Sequence, residues 1–288
     1  MELILSSCNS NISIGAVVVL YNPNIEEILN INTYLDKVDY LVIMDNSESD
    51  NSSKILKNIS STKKIKYYSE KKNLGLCKAL NLGIEFLKKY GCSWALLFDA
   101  DSKLGSDIVS VYKKAIVYFQ KDSISLFCPV HLFDRSKSVP FSGYRLVKWS
   151  MTSGCIFNIE VFCQLKGFFD ALFVDGLDMD YCLKSKKYGY KIVQCGEAII
   201  QHHPAETRCS FGFKYGIASP FRYFMQARQL IWVSFYYVEP AFFMTYLYKW
   251  FKVVFFFPNK LTYIRAMIKG SYEGVLLLLK NCKLSNFK

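Results

Sequence analysis

Two aspartates in one short turn are the first residues of this chain whose types and spacing suggest chemistry. Asp99 and Asp101 stand one residue apart, directly after the apolar run 94–98. Two carboxylates in such a turn can hold a hard divalent cation, Mg2+ or Mn2+, through oxygen. That cation can neutralise a diphosphate leaving group. Asp-x-Asp pairs also occur in solvated acidic turns, and the position after a buried strand favours the metal site.

A second acidic group, Asp175, Asp178 and Asp180, lies where a helix is predicted to begin. Carboxylates there can simply cap the helix and interact with its dipole. The functional alternative is a general base that takes a proton from an incoming hydroxyl group. Lys184 follows on the same predicted helix and either contacts phosphate or belongs to a solvated face.

Histidine and arginine side chains supply further candidates. The chain has three histidines, and His202 and His203 follow a short apolar stretch. A neutral imidazole binds divalent metals, so a metal ligand is one interpretation. Arg222, Tyr223 and Arg228 lie on another predicted helix, where aromatic stacking and bidentate phosphate contacts compete with an ordinary helix surface as explanations.

The elements that must position these side chains alternate in the first half of the chain. We predict strands at the apolar runs 14–20, 40–44, 65–68 and 94–98, and helices near 25–35 and 77–89. Strands that alternate with helices favour a mainly parallel sheet covered on both faces, hence an α/β fold. Ligands of such sheets bind beyond the carboxyl ends of the strands. Polar residues cluster there at 21–22, 45–47, 73 and 99–102.

The second half of the chain is less regular. Segment 141–156 predicts strands around Ser153 and Gly154, and 162–187 predicts a helix, a loop and a helix. Residues 231–257 are rich in aromatic side chains, with Lys249 and Lys252 interspersed. That composition suits a pair of helices in a membrane interface, and a buried core helix is the alternative.

Composition and charge limit the class of protein. A chain of 288 residues suits one large domain, or one domain with a smaller appendage. The net charge of +12 favours anionic partners such as nucleotide phosphates and anionic lipid. The basic residues are dispersed and match no nucleic-acid-binding module, so we expect no nucleic acid partner.

The expected location is the cytoplasm. The ten cysteines include no Cys-x-x-Cys pair, which predicts free thiols in a reducing compartment. The first residues lack the pattern of a secretory signal. No uncharged apolar run reaches the roughly 18–20 residues that span a bilayer.

In order and spacing, these segments resemble family 2 glycosyltransferases. The resemblance is carried by residues 17–23, 45–47, 73–75, 79–83 and 99–102. Later segments narrow it to the rhamnosyltransferase-type branch that builds bacterial O-antigen and capsular polysaccharides: 152–154, 175–184, 202–203 and 219–228. The resemblance implies a GT-A fold over residues 1–220, with a Rossmann-like nucleotide half at about 12–102 and an acceptor half at about 103–220. Residues 221–288 would form a C-terminal helical appendage, a candidate for membrane association.

The resemblance also implies roles for individual residues. Nucleotide-sugar binding falls to Tyr21, Asn22, Asp45, Asn73, Gly75, Asp99, Ser153 and Gly154. The metal ligands would be Asp99, Asp101 and His202, and Asp178 would be the catalytic base. Acceptor or phosphate contacts fall to Asp175, Asp180, Lys184, Arg222, Tyr223 and Arg228. The chain departs from the branch at Ala100, Asp180, Lys184 and Gln229, where Gln, Glu, Arg and Asn are usual.

The implied activity is transfer of a sugar with inversion, dependent on Mg2+ or Mn2+. The expected donor is dTDP-rhamnose, and the expected acceptor is a growing, lipid-linked surface polysaccharide of the cell envelope at the inner face of the cytoplasmic membrane. UDP-glucose or UDP-galactose is the alternative donor. Two other classes stay open: a haloacid-dehalogenase-type phosphatase, whose nucleophile motif resembles 99–102, and a non-catalytic sugar-binding protein.

Overall fold

The computed structural model describes residues 12–60, 64–104, 106–133, 138–201, 206–210 and 213–285. Its strands are β1 (Ile14–Leu20), β2 (Tyr40–Asp45), β3 (Ile65–Ser69), β4 (Trp94–Asp99), β5 (Lys103–Leu104), β6 (Ile124–Leu132), β7 (Tyr144–Leu146), β8 (Ile156–Asn158), β9 (Lys191–Gln201), β10 (Glu206–Ser210) and β11 (Phe213–Ile217). Its helices are α1 (Ile25–Asn30), α2 (Ser52–Lys57), α3 (Leu76–Lys89), α4 (Ile108–Tyr118), α5 (Ile159–Gln164), α6 (Leu177–Lys187), α7 (Pro220–Tyr236), α8 (Pro240–Phe256) and α9 (Lys260–Ser285). Short 3-10 turns lie at 31–33, 35–37 and 170–172.

The central sheet has the strand order β3-β2-β1-β4-β8-β6-β9-β5, with β7 added on β9. Strands β3, β2, β1 and β4 are parallel, and their register sets Leu20 beside Asp45 and Val19 beside Asp99. The carboxyl ends of these strands therefore meet at one edge, as the sequence predicts. Beyond β4 the sheet is mixed, because β8 runs antiparallel to both β4 and β6.

Apolar layers cover both faces of the sheet. Val17 and Val42 point into a core shared with α3, α5 and α6, whereas Val18 and Ile43 point into a core shared with α1 and α4. Because side chains alternate along a strand, an unbroken apolar run has to be buried on both sides. The prediction of an α/β sheet with helices on both faces is confirmed.

The three C-terminal helices pack against one another and against the rest of the fold. Helix α7 lies along both α8 and α9. Exposed apolar side chains recur on α8 and α9 at helical spacing: Met244, Tyr248, Phe251 and Phe255, then Leu261, Ile268, Tyr272, Val275 and Leu279. We call this set the apolar stripe. Within the described residues, no helix is both long and apolar enough to cross a membrane.

Candidate active site

A cavity of about 710 Å³ lies beyond the carboxyl end of β4, between the sheet edge and α6, α7 and α8. Four carboxylates of the predicted set line it: Asp99, Asp101, Asp175 and Asp178. Three basic side chains, here called the basic wall, also line it: Arg222, Lys249 and Lys252. Acidic and basic groups therefore share one half-open cavity, as binding of a charged phosphate ligand and a metal requires.

Asp45 is buried at the end of β2 and its carboxylate is fully engaged. Oδ1 accepts hydrogen bonds from the backbone N–H and the hydroxyl of Ser47, at 3.1 and 2.6 Å. Oδ2 accepts from Asn51 Nδ2 at 3.1 Å and from the Tyr67 hydroxyl at 2.7 Å. A carboxylate has about four such positions, so Asp45 is fixed by its surroundings. Burial and the bond to Asp45 raise the pKa of Tyr67.

Three other predicted nucleotide-binding residues, Tyr21, Asn22 and Asn73, lie near this strand end. Asn46 Nδ2 donates to Asn73 Oδ1 at 3.1 Å, which joins the end of β2 to the loop before α3. The backbone N–H of Asn22 donates to Ser47 Oγ at 2.7 Å, and Tyr21 is 52% exposed. These residues lie along one edge of the sheet, and none of them lines the cavity. We call this group the strand-end crevice.

Gly75 connects the strand-end crevice to the cavity. Its φ is +80°, and a side chain there would meet the ring of Phe173 at 2.4 Å. Phe173 itself has φ +66° and ψ −67°, a strained γ-turn conformation for a residue other than glycine. Its carbonyl accepts from the backbone N–H of Cys77 at 3.0 Å. The loop that leads to Asp175 is thus fastened to the start of α3.

Ser153 and Gly154 lie in a turn next to the backbone of Asp99. The Ser153 hydroxyl lies 3.4 Å from the backbone nitrogen of Asp99, and the Gly154 carbonyl accepts from the buried hydroxyl of Tyr112 at 2.6 Å. His131, which sequence reasoning assigned no role, is buried with Nε2 2.7 Å from the Ser153 carbonyl oxygen. That contact joins residues 22 positions apart in the chain, so no local sequence pattern indicates it.

Asp175 forms a bidentate ion pair with Arg222, with distances of 2.8 and 2.7 Å. Burial nevertheless holds the pKa of Asp175 above its ordinary value, although Arg222 acts in the opposite direction. The two parallel hydrogen bonds fix the orientation of the planar guanidinium group at the cavity wall.

Asp178 lies in the first turn of α6 and lines the cavity. Part of its surface is accessible from the cavity, yet protein surrounds the carboxyl group closely. Burial, with smaller contributions from Asp175 and Asp99, raises the pKa of Asp178 from 3.8 to about 6. A carboxylate with this pKa is ionised at pH 7 and still takes up a proton readily, which is the property of an effective general base.

Asp180 belongs to the interior instead. It is 2% exposed, and Oδ1 accepts from Trp232 Nε1 at 2.8 Å and from the Tyr237 hydroxyl at 2.9 Å. Its side chain fastens α6 to α7 and does not line the cavity. Asp180 was expected to contact the acceptor or a phosphate, and the structure places its side chain outside the cavity.

Lys184 and Arg228 are also turned away from the cavity. Lys184 Nζ donates to the carbonyl of Gly167 at 2.5 Å, and burial lowers its pKa. Arg228 donates to the carbonyl of Ala171. Neither side chain lines the cavity. Each one joins a helix to a neighbouring loop instead.

Residues of α8 contribute to the cavity in a way that the sequence did not predict. Lys249 Nζ donates to Gln226 Oε1 at 2.7 Å and lies 5.3 Å from the centre of the Tyr223 ring. Lys252, 7% exposed, donates to the Gly216 carbonyl at 3.2 Å. Both lysines line the cavity, which corrects their interpretation as part of an interfacial face.

Asp99 and Asp101 fit the role of metal ligands. They offer the oxygen donors that Mg2+ and Mn2+ prefer, and they line a cavity that holds two further carboxylates. His202 and His203 lie outside the described residues. Among the described ones, no group of three or more His, Cys, Asp or Glu side chains is arranged to hold a metal.

Residues 16–138, which contain β1 to β4 and their strand-end residues, match the model of glycosyl transferase family 2. Residues 16–138 therefore form a family 2 glycosyltransferase domain. It is 27% identical over 240 residues to the dTDP-rhamnosyl transferase RfbF of Shigella flexneri, with 76% of this chain and 78% of the relative covered. The prediction of a family 2, rhamnosyltransferase-type glycosyltransferase is confirmed, and the phosphatase alternative is not supported.

Solved structures share the fold of the family 2 domain. TarS 1–349 of S. aureus in complex with UDP-GlcNAc superposes with a TM-score of 0.56 at 14% identity, covering 90% of this chain and 81% of TarS 1–349. GalNAc-T7 with UDP, GalNAc and Mn2+ gives 0.55 at 14% identity, covering 68% of this chain and 44% of GalNAc-T7. The chain thus spans less than half of GalNAc-T7. The likenesses confirm the predicted GT-A fold.

Proposed function

We propose that this glycosyltransferase transfers L-rhamnose from dTDP-rhamnose, with inversion, to a growing lipid-linked surface polysaccharide such as O-antigen or capsule. The observation that carries the proposal is Asp178, a carboxylate with a pKa near 6 in the same cavity as Asp99 and Asp101. Similarity to a dTDP-rhamnosyl transferase supports the sugar and the nucleotide. UDP-glucose and UDP-galactose are the alternative donors.

The reaction uses the cavity's own groups. Asp178 takes the proton of an acceptor hydroxyl, whose oxygen forms a bond to the anomeric carbon while the bond from that carbon to the diphosphate breaks. The electron pair of the broken bond leaves with the nucleotide diphosphate. Attack from the face opposite the leaving group inverts the anomeric configuration. The basic wall attracts the diphosphate, because cations in an enclosed site stabilise developing anionic charge.

A divalent cation would be held by Asp99 and Asp101, with His202 as a further proposed ligand. When bound, Mg2+ or Mn2+ neutralises charge on a diphosphate leaving group. The structure of GalNAc-T7 with Mn2+ supports a divalent ion in this fold. Asp45, Asn73 and the neighbouring strand-end residues are proposed to bind the nucleoside.

The apolar stripe supports a location at the inner face of the cytoplasmic membrane. Its residues lie on two adjacent helices that also form a wall of the cavity or pack on α7. Basic Lys260, Arg265 and Lys269 are exposed on α9 beside it. An apolar surface with neighbouring cations suits an anionic bilayer surface. A lipid-linked acceptor would then be near the cavity.

A donor screen tests the proposal. Purified protein with Mg2+ or Mn2+ is incubated with dTDP-rhamnose, UDP-glucose or UDP-galactose and a membrane lipid extract as acceptor, and release of nucleotide diphosphate is followed. We expect metal-dependent release from dTDP-rhamnose that the extract stimulates. If nucleotide diphosphate is released only from a UDP-sugar, that sugar is the donor and dTDP-rhamnose is not. Binding of glycan without release from any donor would favour a non-catalytic sugar-binding protein.

A further inference from the structure

Trp149 is a large aromatic side chain in the cavity that the proposed reaction does not use. Trp94 and Trp232 are buried and Trp250 is half-buried, whereas Trp149 is 38% exposed and lines the cavity. Its ring meets that of Phe242 on α8 at an interplanar angle of 61°, with centres 6.2 Å apart, and this contact leaves part of the indole open. Apolar surface gains free energy when it leaves water, and ligand sites are commonly lined by such rings. The exposed indole therefore suits a ligand that covers it.

The loop that carries Trp149 is fastened on both sides of this residue. Before it, Lys148 forms an ion pair with Glu239, the residue that precedes α8. After it, the backbone N–H of Gly154 donates to the Leu97 carbonyl of β4 at 2.7 Å. A side chain that the protein already holds in place loses little conformational freedom when a ligand binds. Trp149 is thus a preformed part of the cavity wall.

The strand order sets Trp149 and the strand-end crevice on different sides of the reacting centre. Strand β8 runs antiparallel to β4, so the loop that precedes β8 lies at the carboxyl end of β4, where Asp99 stands. In the sheet, β2 and β8 lie on opposite sides of β4. The nucleoside is proposed to bind at the end of β2. An acceptor that attacks from the face opposite the diphosphate has to enter from the side away from the nucleotide, which is the side of Trp149.

We propose that Trp149 stacks on the apolar face of a sugar ring of the acceptor glycan and so keeps the reactive hydroxyl group at Asp178, in the same cavity. The inference rests on the proposed function and adds the residue that binds the acceptor. One face of a pyranose ring carries mainly C–H groups, and a flat indole covers them over a large area at low cost in side-chain entropy. The hydroxyl groups at the edge of the sugar ring stay free for polar contacts and for reaction.

The test compares Trp149→Leu, which removes the aromatic ring, with Trp149→Phe, which keeps one. Tyr90→Leu is the matched control, because Tyr90 is 41% exposed, stacks on the ring of Tyr40 with centres 5.2 Å apart, and does not line the cavity. Saccharides are released from the membrane lipid extract by mild acid and titrated into each protein by calorimetry, with Mg2+ and dTDP present. Thermal unfolding and sedimentation with phosphatidylglycerol vesicles are recorded for every variant.

For Trp149→Leu we expect saccharide binding to weaken about tenfold, the size of effect that one lost aromatic contact produces. Trp149→Phe should bind within about threefold of the parent, because the smaller ring still stacks. Tyr90→Leu should match the parent. The melting temperature of both Trp149 variants should stay close to that of the parent, which separates lost binding from lost folding.

The inference is wrong if the parent protein binds no saccharide, or if Trp149→Leu binds as tightly as the parent. Weaker vesicle sedimentation of Trp149→Leu with unchanged saccharide binding would place the ring at the membrane instead. The proposed function fails separately, in the donor screen: a parent that binds saccharide through Trp149 but releases nucleotide diphosphate from no donor would keep the sugar contact and lose the transferase activity.

Discussion

The strand-end crevice and the cavity beside it differ in how far their polar groups are already satisfied. Asp45 in the crevice accepts four hydrogen bonds from its neighbours. In the cavity, the pKa of Asp178 is raised by burial and by other carboxylates. A satisfied network fixes a binding surface in advance. Groups held in unfavourable surroundings are reactive, as at many active sites.

The largest effect is expected for Asp178→Asn, which removes the proposed base with little change in shape. Sugar transfer should fall about 10²- to 10⁴-fold, the usual contribution of a general base. Donor affinity, measured by titration with the nucleotide sugar, should change little. Asp107→Asn is the matched control, since Asp107 also stands at a helix start, on α4. Transfer by Asp178→Asn at more than a tenth of the parent rate would exclude the assignment.

Asp180→Ala should act on stability rather than on chemistry, although Asp180 is only two residues from Asp178. Loss of its carboxylate leaves the Trp232 donor unpaired in the interior and removes the ion pair with Lys184, whereas the Tyr237 hydroxyl keeps its bond to the backbone carbonyl at position 180. We expect the free energy of unfolding to fall by about 3 kcal/mol, as measured by urea denaturation. Unchanged stability together with lost transfer would show that Asp180 acts at the site.

The apolar stripe should matter for membrane binding only. Replacing Phe251 and Phe255 with Gln removes two exposed rings from α8 and should weaken sedimentation with phosphatidylglycerol vesicles about tenfold. Replacing exposed Val117 and Tyr118 of α4 with Gln is the control. Equal loss of binding in the two double variants would contradict a membrane-facing stripe.

The smallest effect is expected in the strand-end crevice. Tyr67→Phe removes one of the four hydrogen bonds to Asp45 and should raise the KM for the donor a few-fold. A hydrogen bond to a charged group is worth roughly 1.5–3 kcal/mol, and only part of this is lost because three other bonds still hold Asp45. The kcat value should not change. Exposed Tyr118→Phe is the control. A fall in kcat with unchanged KM would place Asp45 outside donor binding.

Local sequence patterns predict the crevice well. The run 14–20 is β1 to the residue, and the strands that end at Asp45 and Asp99 extend only one residue past their predicted limits. Apolar runs followed by polar turns are visible within a few residues. The parallel register then brings their ends together without further information.

The cavity wall was predicted less well because it depends on long-range packing. Lys249 and Lys252 stand in an aromatic run that resembles a membrane-facing helix, and the packing of α8 against α7 and α9 is what brings them to the cavity. Asp178 and Asp180 look equivalent in sequence, yet two residues along a helix are a rotation of about 200°, which sets one side chain at the cavity and the other in the interior.

The division at residue 220 and the role of His202 stay predictions. Helix α7 begins at the predicted boundary, and it supplies Arg222, Tyr223 and Gln229 to the cavity. The helical appendage therefore contributes to the site itself.

The pH dependence of transfer tests the central claim most directly, because it reports the ionisation of Asp178 in the parent protein. A general base is active when deprotonated, and burial raises the pKa of Asp178 to about 6. With saturating donor and metal, kcat/KM for the acceptor should be low at pH 5, rise through about pH 6 and level off above pH 7. A profile that stays flat down to about pH 4.5 would show that no carboxyl group with a raised pKa takes the proton.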